Sequence, residues 1–363
     1  MSADLASTSL DSTRSSLDQL AGRLGVQWNQ LAAAATRTGQ KKSQLSQALT
    51  GLDSADTSIV AFGSLARNEF TQGSDIDWTL LIDGQAASEH LAIANKIRDE
   101  IAKVEGKEPG GEGIFGNLSF SHEIIHQIGG QNDTNTNTTQ RILLLLESCV
   151  LGKPDAHDRV IANILSRYLT EDRGLWYGSG PHKVPRFLLN DIARYWRTMA
   201  VDLAYKQRTR GGIGFALRTI KLRISRKLIF MAGLLSCFTY ELDLDAERRR
   251  IIFNGGGPLP ALAHLKSAMT RSPLEITAAA LLMFPQLDSH AENLFSAYDD
   301  FLGLLADDEK RHRLDTISFE DLGKDDTFKE AQRISYRFRD AVSGIFLNQD
   351  NLLGQLTIEY GVF

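Results

Sequence analysis

Two aspartates, Asp75 and Asp77, flank a single isoleucine at the head of an apolar run that extends to Ile82. Upstream of them, across a spacer of ten residues, a Gly63-Ser64 pair closes another apolar run, Ser58 to Phe62. Side chains two apart on a strand share one face, with their Cα atoms roughly 6.5 Å apart. Two carboxylates that close repel unless something positive lies between them. A divalent cation that prefers oxygen ligands, Mg²⁺ or Mn²⁺, meets that need. Gly63 lets the backbone approach a ligand with no Cβ in the way. A bend from a strand into a helix start offers N–H groups to an anion, and the Ser64 hydroxyl adds a donor. Metal-binding carboxylates beside a phosphate cradle fit the handling of a nucleoside triphosphate.

The run from Asp75 to Ile82 must be the strand that carries the pair. Ile76, Trp78, Leu80 and Ile82 make one apolar face, and Asp75, Asp77 and Thr79 make the polar one. Leu81 breaks the alternation, as expected where the far end of a strand is buried on both sides. The bland alternative is an edge strand with solvated aspartates beside an ordinary turn.

Taken together, FGSLARNEFTQGSDIDW resembles the signature of the DNA polymerase β-like nucleotidyltransferase superfamily, through Phe62, Gly63, Ser64, Asp75, Ile76, Asp77 and Trp78. Arg67, Glu69, Gly73 and Ser74 are similar to its bacterial branch. The resemblance implies an α/β (α+β) fold, a small mixed sheet with flanking helices followed by an all-helical second domain. It implies transfer of an NMP or dNMP from a nucleoside triphosphate to a hydroxyl, without a template. Two Mg²⁺ or Mn²⁺ ions would be held by Asp75, Asp77 and a third carboxylate on a later strand. Asn117 to Ile128 reads as that strand, which makes Glu123 the third catalytic and metal-binding residue, with Asp133 as second choice. Gly63, Ser64, Arg67 and Ser74 would bind the nucleotide. On a strand, His122 and His126 would lie roughly 13 Å apart, too far to share an ion.

The 363 residues suit two domains, and an apolar share of 42% allows sizeable cores. A net charge of −5 excludes a uniformly basic nucleic-acid binder but not local patches. Cys149 and Cys237 sit in apolar runs and read as reduced core residues. No secretory signal and no membrane-spanning run is visible, so a cytoplasmic location is expected.

Helical spacing predicts one or two helices from Ser16 to Leu49, packed on the core. A helix follows Ser88, a glycine-rich loop covers Gly106 to Gly116, and Arg141 to Val150 reads as an apolar helix. Three regions follow: residues 1–54, a catalytic core at 55–153, and a helical nucleotide- and substrate-binding domain at 154–363. The mixed-charge stretch Asp299 to Asp326 reads as a solvated face or loop. In the helical half, Lys206 to Lys227 holds eight basic residues and no acid. Arg218, Lys221 and Ser225 fall three or four apart and share a helix face, adjoined by Arg226. Turned toward the cleft, that stripe would grip triphosphate oxygens. Lys221 and Ser225 also resemble the triphosphate-gripping pair of template-independent superfamily members. Trp176-Tyr177 and Tyr195-Trp196 are candidates to stack on a base.

The stretch LRTIKLRISRKLIF and the core motif are loosely similar to phage-defence nucleotidyltransferases, including the Hailong type, whose DNA oligomers control an effector protein. That similarity implies an oligonucleotide product or acceptor and an effector partner. Nucleotidylation of a protein or small molecule, and a catalytically silent nucleotide-binding regulator, are the alternatives.

Overall fold

The computed structural model describes residues 14–105, 114, 116–209 and 213–361. Two helices open it, α1 (Ser16–Leu24) and α2 (Asn29–Ala48). Ser15 caps α1 by accepting from the Asp18 N–H, and Gly25 closes it in the left-handed conformation. Then come β1 (Thr57–Ala61), the short α3 (Gly63–Ala66), β2 (Trp78–Ile82) and α4 (Glu89–Glu105). The core continues with β3 (Leu118–Phe120), α5 (Ser121–His126), α6 (Asn135–Leu146) and β4 (Cys149–Val150). The four strands form one mixed sheet in the order β3-β2-β1-β4. β1 is antiparallel to β2, with Ala61 opposite Trp78, and to β4; β2 and β3 run parallel.

Three expectations about these elements are corrected. The strand begins at Trp78, so Asp75 and Asp77 precede it. The Phe62 N–H still donates to the Asp77 carbonyl at 2.9 Å, but the chain then bends at Gly63 and leaves Asp75 and Ile76 no strand to pair with. Asn117 to Ile128 is a strand only over Leu118–Phe120, its stretch alongside β2; from Ser121 it is helical. Ile124, Ile125 and Ile128, spaced as on a helix, are its buried residues. The apolar helix ends at Leu146, and Cys149–Val150 joins the sheet edge instead. Of the glycine-rich loop, residues 106–113 and 115 lie outside the described residues.

Beyond the sheet the chain is helical: α7 (Asp155–Glu171), α8 (Arg173–Tyr177), α9 (Arg186–Thr209), α10 (Phe215–Lys221), α11 (Lys227–Leu242), α12 (Ala246–Ile251), α13 (Pro258–Met269), α14 (Pro273–Leu282), α15 (Asp288–Ala306), α16 (Asp308–Thr316), α17 (Asp326–Phe346) and α18 (Leu352–Leu356). A π-helical turn, Leu222–Arg226, joins α10 to α11. The stretch read as a solvated face or loop contains α16, which is mostly exposed but anchored by buried Leu314.

The sheet is covered on both faces. Ile59, Ala61, Trp78, Leu80 and Ile82 pack with Leu45 of α2 and Ile97 of α4 in one core. Val60 and Leu81 belong to the larger core shared with the helical half, which explains the broken alternation at Leu81. Burying one such leucine is worth about 1.5–3 kcal/mol. Helix α2 packs on both α4 and α15, and α1 packs on α14, so the N-terminal helices touch the sheet region and the helical half alike. Among the described residues, no helix is long and apolar enough to cross a membrane. Cys149 and Cys237 are free thiols.

Candidate functional site

β1 delivers the chain to Phe62, and Gly63 then bends it with φ at +68°. That left-handed backbone suits glycine and costs other residues about 1–2 kcal/mol. A methyl group at Gly63 would also stand 3.0 Å from Oδ2 of Asp77. The Asp77 carboxylate therefore lies close against the bend, and a side chain at position 63 would have to push it aside. The Gly63 N–H donates to Oε1 of Glu147 at 3.0 Å, so this donor of the expected cradle is engaged within the protein. Ser64 is half-buried at the start of α3.

Ile76 is buried at 2% exposure while Asp75 and Asp77 face outward on either side of it. Asp77 lines a cavity of about 690 Å³. Poor solvation there holds its carboxyl above the ordinary range; Arg226 and Arg67 pull it back, while Glu147 and Asp75 push it further up. Asp75 lines an adjoining cavity of about 360 Å³. Arg218 and Lys221 line both cavities, so the predicted basic stripe does face the two aspartates.

The stripe is not the regular helix face that the spacing implied. The π-helical turn inserts an extra residue, and such turns often mark functional sites. Lys221 and Arg226 line the larger cavity together. Ser225 is buried, and its Oγ donates to the Lys221 carbonyl at 3.0 Å, so it does not line either cavity. Burial holds the Lys221 ammonium down to about 8, aided by repulsion from Arg311, Arg226 and Arg67 and opposed by Asp75. Arg218 donates from Nη1 to the Ile213 carbonyl at 2.8 Å.

Glu147, which sequence reading passed over, is the hub beneath the bend. It is 3% exposed. It accepts from Gly63, from Arg67 Nη1 at 2.7 Å, and from Arg226 Nη1 at 3.1 and 3.2 Å. Burial pushes its carboxyl up, but Arg67 and Arg226 prevail and hold it below the ordinary range. Arg67 also donates from Nε to Glu69 at 2.8 Å, and the Tyr298 hydroxyl donates to Glu69 at 2.7 Å. Arg67, expected to touch nucleotide, is thus buried inside this network. Ser74 is buried too, its Oγ accepting from the Thr71 N–H at 3.0 Å to shape the turn before Asp75. The available signal for Glu147 was an acid ending a run of four leucines, since a buried charge demands partners.

Glu123 is exposed on α5 and lines neither cavity. Among the described residues, no group of three His, Cys, Asp or Glu side chains is placed to hold a metal ion. The strand on which the expectation for Glu123 rested is in fact a helix, and the structure does not bring Glu123 to the cavities that Asp75 and Asp77 line. Asp133 is no substitute, because Arg141 holds it with two bonds of 2.8 Å and Arg194 adds a third contact. The helix also brings His122 and His126 together, with ring centroids 4.9 Å apart, which overturns the strand-based separation. Trp196 stacks on Phe230, Tyr195 is buried, Trp176 donates to the Leu169 carbonyl, and none of these, nor exposed Tyr177, lines either cavity.

The family model of the nucleotidyltransferase domain matches residues 42–110. The matched segment holds the bend and both aspartates and stops short of Glu147 and of the basic stripe. No curated protein and no solved structure matches the chain.

Proposed function

We propose that this protein moves a nucleoside monophosphate, NMP or dNMP, from a nucleoside triphosphate to a hydroxyl, with Asp75 and Asp77 as its catalytic carboxylates. One observation carries the reading: Asp77 lies against the Gly63 bend, next to Asp75 and facing Arg218, Lys221 and Arg226 across linked cavities. The nucleotidyltransferase-domain match over the same segment supports the general reaction. Residues 55–153 would serve as catalytic core, with 1–54 packed against it and 154–363 binding nucleotide and substrate.

Asp75 and Asp77 offer hard oxygen donors; burial above all, with Glu147 and Asp75 adding to it, lifts the Asp77 carboxyl, and a bound cation would favour its charged form. The pair fits one Mg²⁺ or Mn²⁺; the second ion implied by the resemblance lacks its third carboxylate among the described residues. Bound there, the cation would neutralise phosphate charge and lower the pKa of the attacking hydroxyl. The hydroxyl oxygen bonds to the α-phosphorus, the bond from that phosphorus to the β-phosphate bridging oxygen breaks, and its electron pair leaves with pyrophosphate. The hydroxyl proton passes to solvent. Arg218, Lys221 and Arg226 offset the charge that grows on the leaving group, and the Ser64 hydroxyl donates to a phosphate oxygen. Phe62, Leu143 and Met199 give the larger cavity an apolar wall for the nucleoside.

An oligonucleotide signal in phage defence is the product suggested by the loose similarity of the basic stretch. A second reading is a nucleotide-binding regulator without turnover, which would use the same aspartates and basic residues for binding alone. The test is incubation with each labelled NTP and dNTP plus Mg²⁺ or Mn²⁺. Pyrophosphate release with a ladder of products supports an oligomer-making enzyme, and a single labelled protein band supports protein nucleotidylation. Binding without pyrophosphate favours the regulator, and no binding refutes the proposal.

A further inference from the structure

The smaller cavity contains a residue that neither the sequence motif nor the basic stripe includes. Arg311 comes from α16, more than two hundred residues after the bend. It lines the 360 Å³ cavity together with Asp75, Arg218 and Lys221. Its guanidinium lies flat on Gly73: a methyl group there would stand 2.9–3.0 Å from Nη1, Cζ and Nε. Gly73 thus leaves the space that the planar group occupies, two residues before Asp75.

The charges around it suit an anionic partner. Arg311 is half-buried, as is Lys221. Both cationic heads share the cavity with Asp75, whose charge acts on Lys221, and with Asp308 and Asp315. After burial, Arg311 does most to hold the Lys221 ammonium down, more than Arg226 or Arg67, with Asp75 opposing. Two cations held side by side repel each other, and a polyanion bound between them offsets that repulsion. Asp308, His312 and Asp315 also line the cavity. Their acids disfavour a bare anion and suit one that arrives complexed with a divalent cation. A recess of this size beside a larger, partly apolar one matches a polyphosphate tail beside a nucleoside.

We propose that Arg311, with Lys221 and Arg218, makes the smaller cavity the seat of the donor's β- and γ-phosphates and of the released pyrophosphate, and that it sets the preference for triphosphate over monophosphate. The inference deepens the reading of the same site and rests on it for the identity of the donor. A planar fork stacked on a glycine presents its N–H groups in a fixed direction, which a flexible lysine at this position would not do.

The test uses the full chain and calorimetric titration with three probes in Mg²⁺: inorganic tripolyphosphate, ATP and AMP. Arg311→Gln is expected to weaken tripolyphosphate and ATP by on the order of ten- to a hundredfold while AMP stays within about twofold. Arg311→Lys is expected to recover part of the loss. A matching melting temperature shows that the variant is folded, and Gly73→Ala, which displaces the guanidinium without removing it, is expected to reproduce the phosphate-specific loss. Wild-type protein that fails to bind tripolyphosphate overturns the proposal, as does an Arg311→Gln variant that binds it unchanged or loses ATP and AMP equally. Pyrophosphate release measured on the same samples separates the two claims. Turnover with Arg311-independent binding removes this site and keeps the function; Arg311-dependent binding without turnover does the reverse.

Discussion

Gly63 is the residue on which the site's geometry turns. Its backbone needs a positive φ, and its missing Cβ leaves room for Asp77 Oδ2. Gly63→Ala meets both constraints at once. The variant should lose about 1–2 kcal/mol of stability, read as a lower urea midpoint, from the backbone alone. It should also lose pyrophosphate release by about tenfold or more, because Asp77 must move; normal stability together with normal turnover would contradict this geometry. Gly63, Asp75 and Asp77 were legible in the sequence because their chemistry is local: a turn residue after one apolar run, and two acids at the head of another. Lys221 and Arg218 were legible as a basic stripe and do face the aspartates. Arg67 and Ser74 were equally visible, but their hydrogen bonds run to Glu69, Glu147 and Thr71 instead. Nothing in residue type separates a guanidinium that meets a ligand from one that meets a buried glutamate.

At the scale of elements, the site is held by the short segment that links α6 to β4. Glu147 lies there and ties the bend, Arg67 just after α3 and the π-helical turn's Arg226 into one buried cluster, which Glu69 and Tyr298 extend to α15. Glu147→Ala leaves two guanidiniums with reduced compensation and should cost about 3–5 kcal/mol. Thermal or urea unfolding would measure it, and a loss under 1 kcal/mol would show that the cluster is not what fixes these elements. Two element-level misreadings had physical causes. NLSFSHEIIHQI begins with strand-like alternation, and the switch to a helix depends on how far β3 can pair with β2, a non-local fact. The π-helical turn changes which residues share a face without changing composition, so Ser225 was read as cleft-facing when its hydroxyl is turned to its own helix.

For the whole molecule, the mixed sheet with a helical remainder followed from the signature's resemblance and from helical periodicity, and it is what the chain forms. What sequence could not supply is the route by which distant segments meet. Helix α16, hidden in a mixed-charge stretch, brings Arg311 to Gly73, and α2 packs between α4 and α15. The cationic wall and the carboxylates therefore belong to stretches far apart in the chain, joined through cores that cover both faces of the sheet. The central claim is that this assembly turns over nucleotide through its two aspartates. Its most direct test is pyrophosphate release by Asp75→Ala/Asp77→Ala beside the wild type, in Mg²⁺ and a mixture of nucleoside triphosphates, with circular dichroism and melting temperature showing both proteins folded. Release by the wild type and none by the folded double variant is the expected result; equal release by the two would contradict the account.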